Sequence, residues 1–275
     1  MTDKNLPNQY LIPQLGFGTF GRTGAAGVAA ILLALETGYR HIDTAQTYDT
    51  EQECGEAFRR SDLKRGEVFF TTKISTDNLD AGKLVPSLRR SLDELKLDRV
   101  DLALIHWPAP NERLPVAVYI EQLAEAHQLG LTRLVGVSNF TIAHLKQAKA
   151  VLGDLPVANN QFEMNPYLQN DKLVTYCLGN DISATCYLPI ARGRLVGDAI
   201  LEGIARRHDA TVEQIALAWE LQRGLIAIPT SGRADRIESN FAALKIKLAP
   251  DEMAAIARID RGQREINPGW GPKWD

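Results

Sequence analysis

No run of about 18 consecutive apolar residues occurs in this chain, so nothing in it reads as a membrane-spanning helix. Blocks of lysine or arginine are missing too. With a formal net charge of −3 over 275 residues, nucleic-acid binding driven by bulk electrostatics is excluded. Cysteines are few: Cys54, Cys177 and Cys186 are odd in number and lack CxxC or metal-type spacing. That pattern argues for plain thiols in a reducing compartment. The opening residues Met1-Thr-Asp-Lys-Asn-Leu-Pro-Asn contain no apolar signal core, so a cytoplasmic protein is expected. The histidines (His41, His106, His127, His144, His208) form no HxH or HExxH pair, and no metal is expected. No low-complexity stretch or Gly/Ser linker divides the sequence, which predicts one domain over residues 1–275.

What is present is a globular composition, 45% hydrophobic and 24% charged, able to bury a large core. Strand-like runs fall near 15–18, 39–43, 68–72, 102–105, 134–137, 156–161, 182–187 and 225–228. Helical patterns separate them. One starts near Thr23 and stops at Gly38, and another carries Leu84, Val85, Leu88, Leu92 and Leu95 on one face, with Pro86 implying a bend or a late start. A further helix opens at Pro115 and closes at Gly130, and Thr211 with Gln214 forms a capping box. Eight short strands alternating with helices predict a parallel sheet closed into a (β/α)8 barrel, a TIM barrel. A short N-terminal β-hairpin is expected ahead of it.

Gly16-Phe17-Gly18-Thr19-Phe20-Gly21 matches G-x-G-x-x-G, with Asp43 further on, as a doubly wound dinucleotide fold requires. The preceding run, Tyr10-Leu-Ile-Pro-Gln-Leu, is broken by Pro13 and makes a poor central strand. The better reading has these glycines end a barrel strand and let Gly18 and Thr19 pass close to a ligand.

Polar residues end the apolar runs. Asp43 and Tyr48, Lys73, His106, Ser138-Asn139, Gln161 and Tyr187 follow successive strands, where barrel active sites gather. The intervals of 30 from Asp43 to Lys73 and 33 from Lys73 to His106 put these three on adjacent strands at one face. A tyrosine is a weak acid at neutral pH, and a lysine ammonium beside it makes its phenolate cheaper. Lowering that pKa by about three units corresponds to ~4 kcal/mol. Aspartate would keep the lysine charged and histidine would orient a substrate oxygen, giving general acid catalysis on a carbonyl. The spacing alone leaves other chemistry open: a Schiff-base lyase or aldolase with Lys73 as nucleophile, or a non-catalytic, cofactor-sensing subunit.

His41-Ile-Asp-Thr-Ala-Gln-Thr-Tyr48, Thr72-Lys73-Ile74, Asp101-Leu-Ala-Leu-Ile-His106-Trp-Pro and Gly136-Val-Ser-Asn-Phe140 resemble the signatures of the aldo-keto reductases. So do Asn160-Gln161 and Tyr187-Leu188-Pro-Ile190-Ala-Arg192-Gly193. Within that family Pro166-Tyr-Leu-Gln-Asn170 and Lys273-Trp-Asp275 are most similar to the bacterial 2,5-diketo-D-gluconate reductases, B type. The resemblance implies a monomer that reduces a small ketone or aldehyde, a diketogluconate or a methylglyoxal-like dicarbonyl, with NADPH. It implies Tyr48 as general acid, tuned by Lys73 and Asp43, with His106 positioning the carbonyl. Ser138, Asn139 and Gln161 would hold the nicotinamide carboxamide, and Tyr187 would stack on its ring.

A phosphate site is expected after the last strands, near a helix N-terminus, at Ile228-Pro-Thr-Ser-Gly-Arg-Ala-Asp-Arg-Ile-Glu-Ser-Asn240. Ser231 and Gly232 offer a hydroxyl and open backbone, and Arg233 and Arg236 offer cations for a 2′-phosphate. The family usually has lysine at Thr230 and glutamate at Ser239, whereas Arg236 and Asn240 match. One charge partner is thus lost, Arg233 is the candidate to replace it, and secondary use of NADH is left open. Phe20, Tyr48, His106 and Trp107 are expected around the substrate, with Trp270 and Trp274 either forming a wall or packing on the rim. Asp49, where the family often has asparagine, is expected to alter local charge.

Overall fold

A computed structural model describes residues 9–275. Its centre is eight parallel strands in sequence order: β1 Phe17–Gly18, β2 His41–Asp43, β3 Phe69–Ile74, β4 Val100–Ile105, β5 Thr132–Ser138, β6 Asn159–Glu163, β7 Ser183–Tyr187 and β8 Ile226–Ala227. The ring closes between its ends. Leu15 makes a parallel bridge to Ala227, and the N–H groups of Gly16 and Gly18 donate to the carbonyls of Ala227 at 2.9 Å and Pro229 at 3.0 Å. Sequential order and closure identify a (β/α)8 barrel and remove the doubly wound reading, whose strand order must reverse. The hairpin expected ahead of the barrel falls largely on residues 1–8, outside the described residues.

Ten helices surround the ring among the described residues: α1 Gly24–Thr37, α2 Glu51–Arg60, α3 Leu84–Leu95, α4 Val116–Gln128, α5 Ile142–Leu152, α6 Asp171–Leu178, α7 Ala199–Arg207, α8 Val212–Gln222, α9 Ala234–Ala242 and α10 Pro250–Ala257. Pro86 is the third residue of α3, where its missing N–H has no helical acceptor to lose, so the helix starts late and does not bend. Gly38 ends α1 at φ 122, a conformation that L side chains rarely adopt. Thr211 and Gln214 bond reciprocally as the capping box requires.

Period two along each strand sorts the side chains. Phe69, Thr71 and Lys73 share a side, and the register pairs Thr71 with Leu102 and Lys73 with Leu104. Leu102 and Leu104 belong to the inner cluster with Phe69, Ile226 and Ile228. The alternate residues Phe70, Ile74, Ala103, Ile105, Val135 and Val137 pack in the larger cluster with Leu88, Leu92, Ile120 and Leu123 of the helices. Burying each such leucine, isoleucine or phenylalanine contributes about 1.5–3 kcal/mol. The same parity, followed through the register, turns Asp43, Ser138, Gln161 and Tyr187 inward with Lys73. Functional groups therefore top columns whose lower members fill the barrel.

Inward positions must also leave room. A Cβ on Gly16 would lie 2.7 Å from His41 Nδ1, and one on Gly136 would lie 2.7 Å from both Asn159 O and Leu104 Cδ2. Gly136→Ala is expected to destabilise the fold by about 1–3 kcal/mol through overpacking against backbone that cannot yield. Urea denaturation, read as a lower midpoint at unchanged slope, checks this.

Candidate active site

At the C-terminal end of the ring, Lys73 is fully sealed from solvent and Asp43 nearly so. The ammonium of Lys73 is ion-paired with Asp43 Oδ1, donates to Thr44 O at 2.8 Å and reaches Tyr48 Oη at 3.4 Å. The other Asp43 oxygen accepts Gln161 Nε2 at 2.8 Å. Tyr48 stands on a short turn just after β2, and its ring meets that of His106 edge-on at 5.5 Å. The four residues set apart by spacing are thus brought together.

Burial acts on them with different signs. It pushes the Tyr48 phenol above its ordinary value, and the pull of the Lys73 ammonium does not overcome it, with Asp43 adding to the rise. The expectation of a depressed tyrosine pKa is therefore corrected: desolvation outweighs the charge partner. For Lys73 burial favours the neutral amine, but Asp43 and Tyr48 together outweigh it and the pKa rises. A charged amine held in an ion pair is a poor Schiff-base nucleophile, and nothing in the site favours that chemistry. Burial, reinforced by Lys73, lowers His106 to about 3, so its imidazole is neutral at physiological pH.

A second set of hydrogen bonds links the neighbouring strand ends. Asn139, at φ 63, donates through Nδ2 to His106 O at 3.0 Å and to Ser138 Oγ at 3.1 Å. Its Oδ1 accepts the Tyr187 hydroxyl at 2.8 Å. Ser138 is set behind the surface, donating to Gln161 O at 2.9 Å. Thr19 is buried and bonds Asp43 O at 3.1 Å.

Above this floor lies a cavity of ≈ 220 Å³ walled by Gly18, Thr19, Phe20, Asp43, Tyr48, His106, Trp107, Asn139, Gln161, Tyr187 and Ile266. Leu188, Arg192, Ile228 and Thr230 belong both to it and to a second cavity of ≈ 880 Å³ that runs past Ile190, Gly193, Ser231, Arg233, Arg236, Ser239 and Asn240 to the start of α9. Gly232 lies off that wall because Arg22 packs on it; a Cβ there would be 2.3 Å from the guanidinium. Arg22 Nε is buried with no hydrogen-bond partner among the described residues. Arg233, the candidate to replace the missing lysine, is gripped at two points by Asp235, at 3.1 and 2.7 Å.

Phe20 is largely exposed and meets Tyr48 edge-on at 5.2 Å. Trp107 packs edge-on against Trp270 at 5.2 Å and Trp274 at 6.0 Å, so those two brace the rim while Ile266 supplies the tail's share of the wall. Glu163, at the top of β6, accepts the N–H groups of Glu265 and Ile266, each at 2.8 Å, and fixes that segment. Asp49 is exposed and off both walls. Ile228 was placed from sequence only as the end of a strand and the start of the phosphate segment, Thr47 only as the neighbour of Tyr48, and Ile266, which lines the cavity, carried no signal.

Residues 14–261 match the aldo/keto reductase family. The chain belongs to that family. It is an NADP-dependent oxidoreductase acting on carbonyls. Methylglyoxal reductase DkgB of Yersinia pestis is 44% identical over 265 residues, covering 96% of this chain and 99% of that protein. The DkgB of Escherichia coli O157:H7 is 42% identical over the same coverage. Among solved structures, a chain provisionally assigned as 2,5-diketo-D-gluconic acid reductase B superposes with a TM-score of 0.93 at 38% identity, covering 98% of this chain and 96% of that one.

Because the folded imidazole refuses a proton that the unfolded one takes, His106 weakens the fold as pH falls from about 6.5 toward 3 and has no such effect above that window. In the folded protein the His106 ring resonances are expected to stay fixed from about pH 5 to about pH 8. NMR titration with assignment by a His106→Gln variant checks this; a midpoint near 6.5 would contradict the dry environment.

Proposed function

We propose that the protein reduces small dicarbonyls and keto sugars of the methylglyoxal and 2,5-diketo-D-gluconate type to alcohols with NADPH, Tyr48 supplying the proton. The juxtaposition of Tyr48 Oη and the sealed Lys73–Asp43 pair carries this reading. When bound, the reduced nicotinamide supplies hydride to the carbonyl carbon. Tyr48 keeps its proton at rest because burial raises its pKa. A carbonyl oxygen becoming an alkoxide is far more basic than a phenolate, so a neutral phenol is able to donate. The Lys73 ammonium then faces the phenolate that donation leaves, stabilising charge where it develops. Neutral His106 serves as a hydrogen-bond donor to the same oxygen.

The cofactor reading rests on the two cavities that share walls, on the buried Arg22 Nε beside Gly232, which has no partner among the described residues, and on Arg236 at the first turn of α9. A dinucleotide phosphate fits such a channel, with Ser138, Asn139, Gln161 and Tyr187 at its nicotinamide end and Ser231, Arg233, Arg236 and Asn240 at its phosphate end. Preference for NADPH over NADH falls mainly to Arg236, since Asp235 already occupies the Arg233 fork. A monomer is the state the family resemblance implies, and a reducing cytoplasm accords with three free, buried thiols.

Tyr48→Phe should lower kcat for methylglyoxal by about 10²–10⁴-fold, the usual contribution of a positioned acid, while NADPH binding by fluorescence quenching is unchanged. Retained turnover would remove Tyr48 from this role. NADPH binding without turnover by the unaltered protein, across methylglyoxal, diketogluconate and aromatic aldehydes, would instead favour a cofactor-sensing subunit. Arg236→Ala should raise Kd for NADPH by roughly tenfold, the scale of one charge-assisted contact, and leave Kd for NADH nearly fixed. Equal losses for both cofactors would place the 2′-phosphate elsewhere.

A further inference from the structure

The His106 backbone is pinned on both sides, its N–H donating to Ile74 O at 3.1 Å and its carbonyl accepting Asn139 Nδ2 at 3.0 Å. The ring has one side-chain hydrogen-bond partner among the described residues. Thr47 Oγ1 lies 3.3 Å from Nδ1, on the residue before Tyr48 and exposed to solvent. Among the described residues Nε2 has no partner and is not one of the sealed polar atoms, so it opens to the cavity that His106 lines.

A neutral imidazole carries one ring proton, on either nitrogen. A carbonyl oxygen only accepts, so a histidine that orients it must hold that proton on Nε2 and leave a lone pair on Nδ1. The reverse tautomer sets two lone pairs against each other. A donor at Nδ1 favours the useful form; the threonine hydroxyl is the group in reach, able to donate or to accept, and it supports that form when it donates.

We propose that Thr47 is a positioning residue for the reduction: its hydroxyl donates to His106 Nδ1 and holds the Nε2–H tautomer that meets the carbonyl oxygen. This rests on the function proposed above and adds a determinant to the same site. Losing the hydroxyl while keeping the side chain's shape removes one neutral hydrogen bond, worth a rate factor of roughly five.

The experiment compares Thr47→Val and Thr47→Ser in the intact protein. Imidazole ¹⁵N shifts of His106 in the free enzyme report the tautomer, and methylglyoxal kinetics with NADPH report the rate. In the serine variant the Nε2–H shifts and kcat/KM are retained. In the valine variant Nδ1 moves toward a tautomer mixture, kcat/KM falls roughly fivefold, and Kd for NADPH does not change. Unaltered shifts with unaltered kcat/KM in Thr47→Val overturn the proposal, as does a shifted tautomer without a change in rate, or a serine variant as impaired as the valine one. Since the tautomer is read without substrate, its outcome stays separate from that of Tyr48→Phe.

Discussion

A lysine sealed inside a ring of strands needs a counter-charge, and the arrangement of the site follows from how Asp43 supplies it. Desolvating two ions is costly, and a buried pair seldom stabilises a fold against an apolar substitute of equal volume. What the Lys73–Asp43 pair provides is position. One Asp43 oxygen holds the ammonium and the other takes the amide of Gln161 across the barrel mouth, so β2, β3 and β6 are locked at the level where Tyr48 stands. The dryness that makes the pair costly also sets its neighbours: phenol protonated, imidazole neutral, ammonium charged. Those are the states that the proposed donation to a carbonyl requires, and one environment produces all three.

Much of this was legible in the sequence because barrels repeat. Strand and helix alternate at short intervals, so Asp43, Lys73 and His106 could be placed on neighbouring strands from spacing alone. Alternation then explains why these residues, and not Thr72 or Asn160, face inward: Thr72 bonds Glu51 of α2 at 2.5 Å, and Asn160 bonds Phe140 O at 3.0 Å, both away from the mouth. The glycines of Gly16-Phe-Gly18 mimicked a phosphate loop in one dimension. In three dimensions they clear space for His41 and the backbone at Ile228.

The sign of the Tyr48 shift was not legible, for a physical reason. Proximity of a lysine can be inferred from spacing, whereas the degree of desolvation depends on everything packed around the phenol, including the Phe20 ring from the β1 loop and the His106 ring. Counting charges overestimated the lysine's pull. The same limitation affected Arg233. As a lone residue it offered a cation where lysine is missing, but Asp235, two positions on at the start of α9, meets it first. Arg22 escaped notice for the converse reason, since only the closure of β1 against β8 carries it onto Gly232.

These cases separate the two ends of the channel. On the proposed reading, the nicotinamide and phosphate ends draw on contiguous segments, 138–139, 187–193 and 230–240, each at or just after a strand end, so local motifs describe them. The end of the cavity proposed to hold substrate is assembled from the β1 loop, the turn at Tyr48, the residue after His106 and a tail fixed by Glu163. In it, Trp107 is braced by rings from positions 270 and 274, and Ile266 closes the wall. Its shape depends on how distant pieces meet. A change in the tail would therefore reshape the cavity wall at Ile266 and Trp107 without touching the Lys73–Asp43 pair beneath it.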